Sequence, residues 1–122
     1  MTATTNDTLI DDCLTWITRR NGVSLVELEN WAAEHGIPTN GDISIELRPN
    51  LIMWAGVTEQ FCDLLDGLRA TGRIDPRPMS PVEAVLVYSY DGGLLSLPIA
   101  RRPPKNGYRD PHWLPTYLGV KK

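Results

Sequence analysis

The chain has 122 residues, of which 42% are hydrophobic and 22% charged, with a formal net charge of −3 and two cysteines. This length suits one domain and excludes large architectures such as a barrel of eight strand–helix units. The apolar fraction is too high for a disordered chain, and the length allows a core that needs neither disulfides nor a metal. No run approaches the roughly 18 apolar residues of a membrane-spanning helix, and the polar N-terminus does not resemble a signal peptide. We therefore expect a cytoplasmic protein.

Two short helices are predicted at the start of the chain. Apolar residues at spacings of three and four predict a helix over residues 8–20, which Asn21-Gly22 then ends. Ser24 and Glu27 have the spacing of a capping box and predict the start of a second helix over residues 25–35. Two helices joined by so short a turn open many helix-turn-helix units.

The middle of the chain predicts a strand and a third helix. Apolar and polar residues alternate over residues 43–47, which is the period of a strand. Residues 51–54 are apolar and fit either a second short strand or a buried turn. Thr58 can cap a third helix over residues 59–71, with Gly72 as its left-handed stop. The predicted inward face of this helix consists of Phe61, Leu64, Leu65 and Leu68.

The C-terminal part is rich in prolines, and residues 75–81 are predicted to form a loop. The runs 82–90 and 94–99 are rich in strand-forming residues and flank Asp91-Gly92-Gly93, which favours a hairpin turn. Residues 101–122 contain four prolines and carry a formal charge of +5. Because proline prevents regular structure, we expect an extended basic arm, packed on its own domain or on a partner.

The order helix, helix, strand, helix, hairpin resembles the winged helix-turn-helix superfamily over residues 8–100. The residues that carry the resemblance end the third helix and open the hairpin: Leu64, Leu65, Leu68, Gly72 and Ile74. The resemblance implies an α+β fold with three helices and a C-terminal β-hairpin over residues 1–100, followed by the basic arm. It also implies binding to double-stranded DNA, with the third helix in the major groove and the hairpin against the backbone or minor groove.

Charge is unevenly distributed along the chain, with a formal charge of −8 over residues 1–68 and +5 over residues 69–122. The split hints at a polyanionic partner, although the basic half can equally neutralise the acidic half. On the third helix, Glu59, Asp63 and Asp66 face outward and should repel phosphates, so we expect this face to point away from DNA. The candidate DNA-binding residues are Arg69, Arg73, Arg77, Arg101, Arg102, Lys105 and Arg109.

These cations predict a non-catalytic DNA-binding protein in the style of the small regulators of bacterial viruses and plasmids. The alternative is a protein-interaction adaptor on the same fold, which binds a protein partner through the acidic helix face or the aromatic arm. The candidate partner-binding residues are Glu59, Asp63, Asp66, Trp113 and Tyr117. Docking of the arm on its own domain is the simpler explanation of Trp113, and we favour it slightly. An edge strand of the hairpin would also permit a homodimer.

No motif predicts catalysis, since the chain has neither a glycine-rich phosphate loop that leads into a helix nor a nucleophile elbow. The four potential soft metal ligands are scattered without metal-ligand spacing: Cys13, His35, Cys62 and His112. The two cysteines lie in apolar helical patterns, which indicates free, buried thiols rather than a disulfide. We expect no enzyme activity, no metal and no cofactor.

Overall fold

The computed structural model describes residues 7–91, 97–100 and 105–121. In chain order the elements are α1 (Asp7–Arg20), β1 (Val23–Ser24), α2 (Leu25–Glu34), β2 (Ile43–Arg48), β3 (Leu51–Val57), α3 (Glu59–Ala70), β4 (Ile74–Pro78), α4 (Pro81–Asp91), β5 (His112–Trp113) and β6 (Thr116–Val120). Among these residues, four helices combine with two three-stranded sheets, which confirms the α+β class.

The first two helices follow the sequence signals closely. In the capping box of α2, the Ser24 hydroxyl accepts from the Glu27 amide at 3.1 Å, and the Glu27 carboxylate accepts from the Ser24 amide at 3.1 Å. Between α1 and α2 the backbone reverses at Asn21 and Gly22, whose φ angles are 59° and 105°. This pair adopts the left-handed region that glycine and asparagine tolerate best, so it ends α1 as expected.

Helix α3 also forms where it was predicted. The Thr58 hydroxyl accepts from the Phe61 amide at 3.0 Å and so satisfies one of the free amides of the first turn. After the last turn, Gly72 has a φ of 71° and Ile74 is buried, as the helix-stop pattern predicts. The inward face is the predicted one, since Phe61, Leu64, Leu65 and Leu68 are all buried.

The two sheets have different pairing. In the first, β6 lies between β1 and β4 and runs antiparallel to both. In the second, β3 pairs antiparallel with β2 and parallel with β5. The apolar segment 51–54, which fits either a strand or a turn, is the first half of β3, and its four side chains are buried.

The strand predicted over residues 82–90 is wrong, because these residues form α4. The Ser80 hydroxyl accepts from the Glu83 amide at 3.2 Å, and the Glu83 carboxylate accepts from the Ser80 amide at 3.3 Å, which makes a second capping box. The hairpin turn at Gly92-Gly93 lies outside the described residues, and Ile99 makes an isolated bridge to Trp113. Within residues 7–91, 97–100 and 105–121, no hairpin follows α3.

The predicted arm contributes regular structure. Residues Thr116–Val120 form β6, and Trp113 of β5 is completely buried. The prolines do not prevent this, because Pro115 precedes β6 and none interrupts it. The expectation of an extended segment without regular structure is therefore wrong for residues 112–120.

Strand β4 occupies part of the predicted proline-rich loop. It is an edge strand, paired with β6 alone, and it contains Pro76 and Pro78. The Arg73 carbonyl accepts from the Lys121 amide, and the Met79 amide donates to the Pro115 carbonyl. The backbone amides and carbonyls of the odd-numbered residues therefore form the hydrogen bonds to β6. The two proline nitrogens then point to the open edge, where no ladder hydrogen bond is lost.

An aromatic cluster joins the second sheet, through β3 and β5, to α4. The ring centroids of Trp54, Tyr88 and Trp113 lie 5.0–6.0 Å apart, and the Trp113 indole donates to the Met53 carbonyl at 3.2 Å. Such tilted and edge-on pairs add to the stabilisation that burial of the rings provides. The C-terminal segment is thereby fixed to the centre of the core.

Candidate functional site

Two of the predicted DNA-binding arginines line one cleft. Arg73 precedes β4 and Arg77 lies within it, and the cleft, of about 740 Å³, runs between this strand, β6 and the end of α1. Lys121 also lines it, and its amide donates to the Arg73 carbonyl at 2.7 Å. Sequence reasoning missed Lys121 as a partner of these arginines, because only the pairing of β4 with β6 brings it there.

The electrostatics of this basic cleft (Arg73, Arg77 and Lys121) are mixed. The Arg77 side chain donates to the Asp75 carboxylate at 2.8 Å, and Asp75 also lines the cleft. The cleft adjoins the C-terminal end of α1, where the helix dipole presents partial negative charge. Part of the positive potential is therefore balanced inside the protein.

The other predicted DNA-binding residues lie elsewhere. Arg69, at the end of α3, lines a different cavity. Lys105 and Arg109 are exposed in a segment that packs on the turn between β2 and β3, where the Asn50 side chain donates to the Arg109 carbonyl at 2.9 Å. Arg101 and Arg102 lie outside the described residues.

The acidic face of α3 is exposed as predicted. Glu59, Asp63 and Asp66 are all exposed and surround the half-buried thiol of Cys62. Burial, and then the negative charges of Asp66, Asp63 and Glu59, raise the pKa of that thiol. The three carboxylates therefore form one acidic stripe.

The two aromatic candidates are used inside the fold. Trp113 has no exposed surface, so the hypothesis that it anchors a partner is wrong. Tyr117 is half-buried, and its hydroxyl donates to the Gly22 carbonyl at 2.9 Å. A Cβ on Gly22 would lie 2.2 Å from the tyrosine ring, so this contact requires glycine. Tyr117 closes the turn between the first two helices.

The exposed aliphatic face of α4 was not predicted. On α4, Val82, Val85 and Leu86 are 70%, 47% and 68% exposed and lie at spacings of three and four, which places them on one helix face. Ala84 and Tyr88 occupy the opposite face and are fully buried. The sequence signal that identifies this helix is the Ser-Pro-Val-Glu segment at residues 80–83, a capping box with proline in the first turn.

A groove of about 760 Å³ lies beside this face and is lined by β2, β3, the segment between β4 and α4, Ala100 and Leu114. Leu47, itself 43% exposed, and Val82 both line the groove, so β2 and α4 each contribute one exposed aliphatic side chain to it. Among the described residues that line it, Arg48 alone is charged. We call the groove and the exposed face of α4 the apolar surface.

Comparisons with protein-family models, with curated proteins and with solved structures give no match. Function is therefore inferred from the geometry of the chain, since a fold by itself does not fix a function. Within the described ranges, no helix has the length and apolar composition needed to cross a membrane. The same residues bring together no group of three or more potential metal ligands.

Proposed function

We propose that this chain is a protein-binding module that receives its partner on the apolar surface. The observation that carries the proposal is the position of the exposed large aliphatic side chains. In the described part of the chain, four of these five side chains lie at or beside the groove, since Leu47 and Val82 line it and Val85 and Leu86 share the exposed face of α4 with Val82. Scattered exposed aliphatic residues are ordinary, whereas a contiguous group beside a groove is typical of an interaction site.

The composition of α4 supports this function. Helix α4 is mostly apolar, and a helix of this composition is expected to be largely buried, yet Val82, Val85 and Leu86 stay exposed opposite the covered Ala84 and Tyr88. Full burial of an aliphatic side chain contributes about 1.5–3 kcal/mol. Covering Val82 and Leu86 in a complex would therefore give a substantial part of a binding free energy.

The acidic stripe and the basic cleft do not line this groove, so the proposed partner makes mainly apolar contacts there. A selection of random displayed peptides on the full chain tests the proposal. We expect enriched peptides to lose binding at least about tenfold to the double variant Val82→Glu, Leu86→Glu, because two carboxylates would be buried in the contact.

The matched control is Ala33→Glu with Ala70→Glu, which adds the same charge at two exposed helix positions. Peptides that bind the parent and this control but not the α4 double variant support the proposed function. Equal binding to all three proteins, or no enrichment above background, would overturn it.

A second candidate function, contact with the phosphates of double-stranded DNA, is favoured by the basic cleft. This cleft brings Arg73, Arg77 and Lys121 together, and cations gain affinity for DNA by releasing its condensed counterions. The acidic stripe of α3 would point away from the duplex under this proposal. The third helix would then not read the major groove.

The salt dependence of binding to a mixed-sequence duplex tests this second function. Each phosphate contact steepens the slope of log affinity against log salt by about 0.9, so replacing Arg73, Arg77 and Lys121 by Gln should flatten it by about 3. The control replaces Lys105 and Arg109, which lie outside the cleft. No detectable binding at low salt, or the same slope in both variants, would contradict DNA binding by the cleft.

A further inference from the structure

A second, smaller cavity opens beside the groove, with a volume of about 160 Å³. It lies between the two sheets and under the end of α3, since β2, β3, β4, β6 and α3 all contribute to its lining. It shares Leu47, Pro78 and Leu114 with the groove, so the two lie side by side.

The lining residues divide into a floor and a rim. Met53, Leu65 and Leu118 are buried and form an apolar floor that reaches the core. Leu47 and Arg69 are exposed and mark the rim. An apolar cavity of about 150 Å³ is large enough to hold benzene, so a phenyl ring fits this volume.

The polar chemistry of the cavity is limited to two groups. The buried Thr116 hydroxyl donates to the Leu114 carbonyl at 3.0 Å, so its hydrogen is already used. Among the described lining residues, Arg69 is the one charged residue of the cavity, and Arg48 is the one charged residue of the groove. Both cations are exposed, and no described carboxylate lines either space.

We propose that this cavity is the anchor pocket of the apolar surface, filled by a phenylalanine side chain of a partner segment whose neighbouring residues carry carboxylates. The ring occupies the floor at Leu65 and Leu118, and a carboxylate beside it binds the Arg69 guanidinium. This inference rests on the proposed protein-binding function and names the chemistry of the partner. Interaction hot spots are typically a few anchor side chains buried in well-packed pockets, inside a polar and solvent-accessible rim.

Three short peptides test the proposal: acetyl-Asp-Phe-Asp-amide, acetyl-Asn-Phe-Asn-amide and acetyl-Asp-Ala-Asp-amide. Each is titrated into the full chain and followed by two-dimensional amide NMR. We expect the phenylalanine-to-alanine change to weaken binding about tenfold or more, because the ring is the buried group. The change from aspartate to asparagine should weaken it roughly fivefold, as for an exposed ion pair.

Two variants assign these effects to the cavity. Arg69→Gln should abolish the preference for aspartate while leaving the preference for phenylalanine over alanine. Leu47→Trp places an indole across the rim and should weaken binding of both phenylalanine peptides about tenfold or more. The matched control is Ile43→Trp, on the same strand but outside the cavity lining, which should leave binding unchanged.

Several results would overturn the anchor pocket. One is peptide binding that is insensitive to both Arg69→Gln and Leu47→Trp. Another is free phenylacetate binding as tightly as the aspartate peptide, which would indicate a site for a small aryl acid. If displayed peptides depend on Val82 and Leu86 but not on Arg69 or Leu47, the protein-binding function stands and the anchor pocket fails.

Discussion

Tyr88 is a side chain that connects three elements of this fold. It is fully buried, its hydroxyl donates to the Thr116 carbonyl at 2.7 Å, and it accepts from the Leu25 amide at 3.1 Å. The Leu25 amide belongs to the first turn of α2, where no partner within the helix exists. One hydroxyl therefore links α4, β6 and the start of α2.

We predict that Tyr88→Phe lowers the free energy of unfolding by about 1–3 kcal/mol, because a buried amide and a buried carbonyl both lose this partner. Urea unfolding of the full chain measures the change. The control is Tyr108→Phe, whose hydroxyl makes no hydrogen bond within the described residues and whose ring stacks on His112 in either form. A loss for Tyr88→Phe no larger than for this control would contradict the bonding described.

Glu29 gives the fold a pH dependence. Burial raises the pKa of this carboxyl above its ordinary value of 4.5, and the hydrogen bond from the Trp54 indole partly opposes that rise. Between the unfolded and folded pKa values the folded state binds more protons, so stability falls as pH increases through that interval.

We predict that Glu29→Gln removes this decrease of stability with pH, while it keeps a side-chain oxygen that can accept the hydrogen bond of the Trp54 indole. The stability of the variant relative to the parent should therefore rise as pH increases from below 4.5 and then level off. Thermal unfolding over a pH series measures the difference. The control is Glu34→Gln, at an exposed glutamate of the same helix. If this variant shows the same pH dependence of stability, burial of Glu29 is not the cause of that dependence.

At the scale of elements, α4 depends on its N-terminal cap. We predict that Ser80→Ala destabilises the chain by about 1 kcal/mol and speeds amide exchange in the first turn of α4, because the Glu83 amide loses its acceptor. Hydrogen exchange followed by mass spectrometry measures this, with the exposed Ser44→Ala in β2 as the control. Unchanged exchange in α4 would show that the cap does not hold this helix.

Helix α4 is also the element that the local sequence pattern predicts incorrectly. Signals that act within three or four residues, such as Ser24 with Glu27 and Gly72 after α3, predicted the ends of α2 and α3 correctly. The valines and tyrosines of residues 82–90 favour a strand by propensity, and the unbroken apolar run at residues 84–88 hides the helical period. That unusual composition is also what leaves the apolar surface exposed, so the element that sequence reasoning missed carries the candidate site.

At the scale of the whole molecule, one sheet depends on the pairing of β1, in the N-terminal part of the chain, with β6, in the C-terminal part. Val23 pairs with Leu118, and Ser24 pairs with Tyr117, across more than ninety residues. No local periodicity encodes a pairing of this separation, so an arm was the natural prediction for a proline-rich, basic C-terminus. The basic cleft and the anchor cavity both depend on this pairing, because β6 lines each of them.

Deletion of residues 112–122 should therefore unfold the whole protein, and not merely remove a segment that the fold does not need. It removes the central strand of one sheet and the buried side chains of Trp113 and Leu118, each about 2–5 kcal/mol by analogy with truncation to alanine. The total approaches the whole stability of a typical domain, so urea unfolding should lose its cooperative transition.

The control keeps every residue and changes only charge, through Arg109→Gln with Lys121→Gln, and should retain a cooperative transition close to that of the parent. A cooperative transition in the deleted chain would mean that β6 is dispensable and that residues 112–122 are an appendage. If the deletion unfolds the chain as expected, loss of DNA or peptide binding on truncation carries no information about charge. The contribution of the C-terminal cations must then be measured by substitution in the full chain.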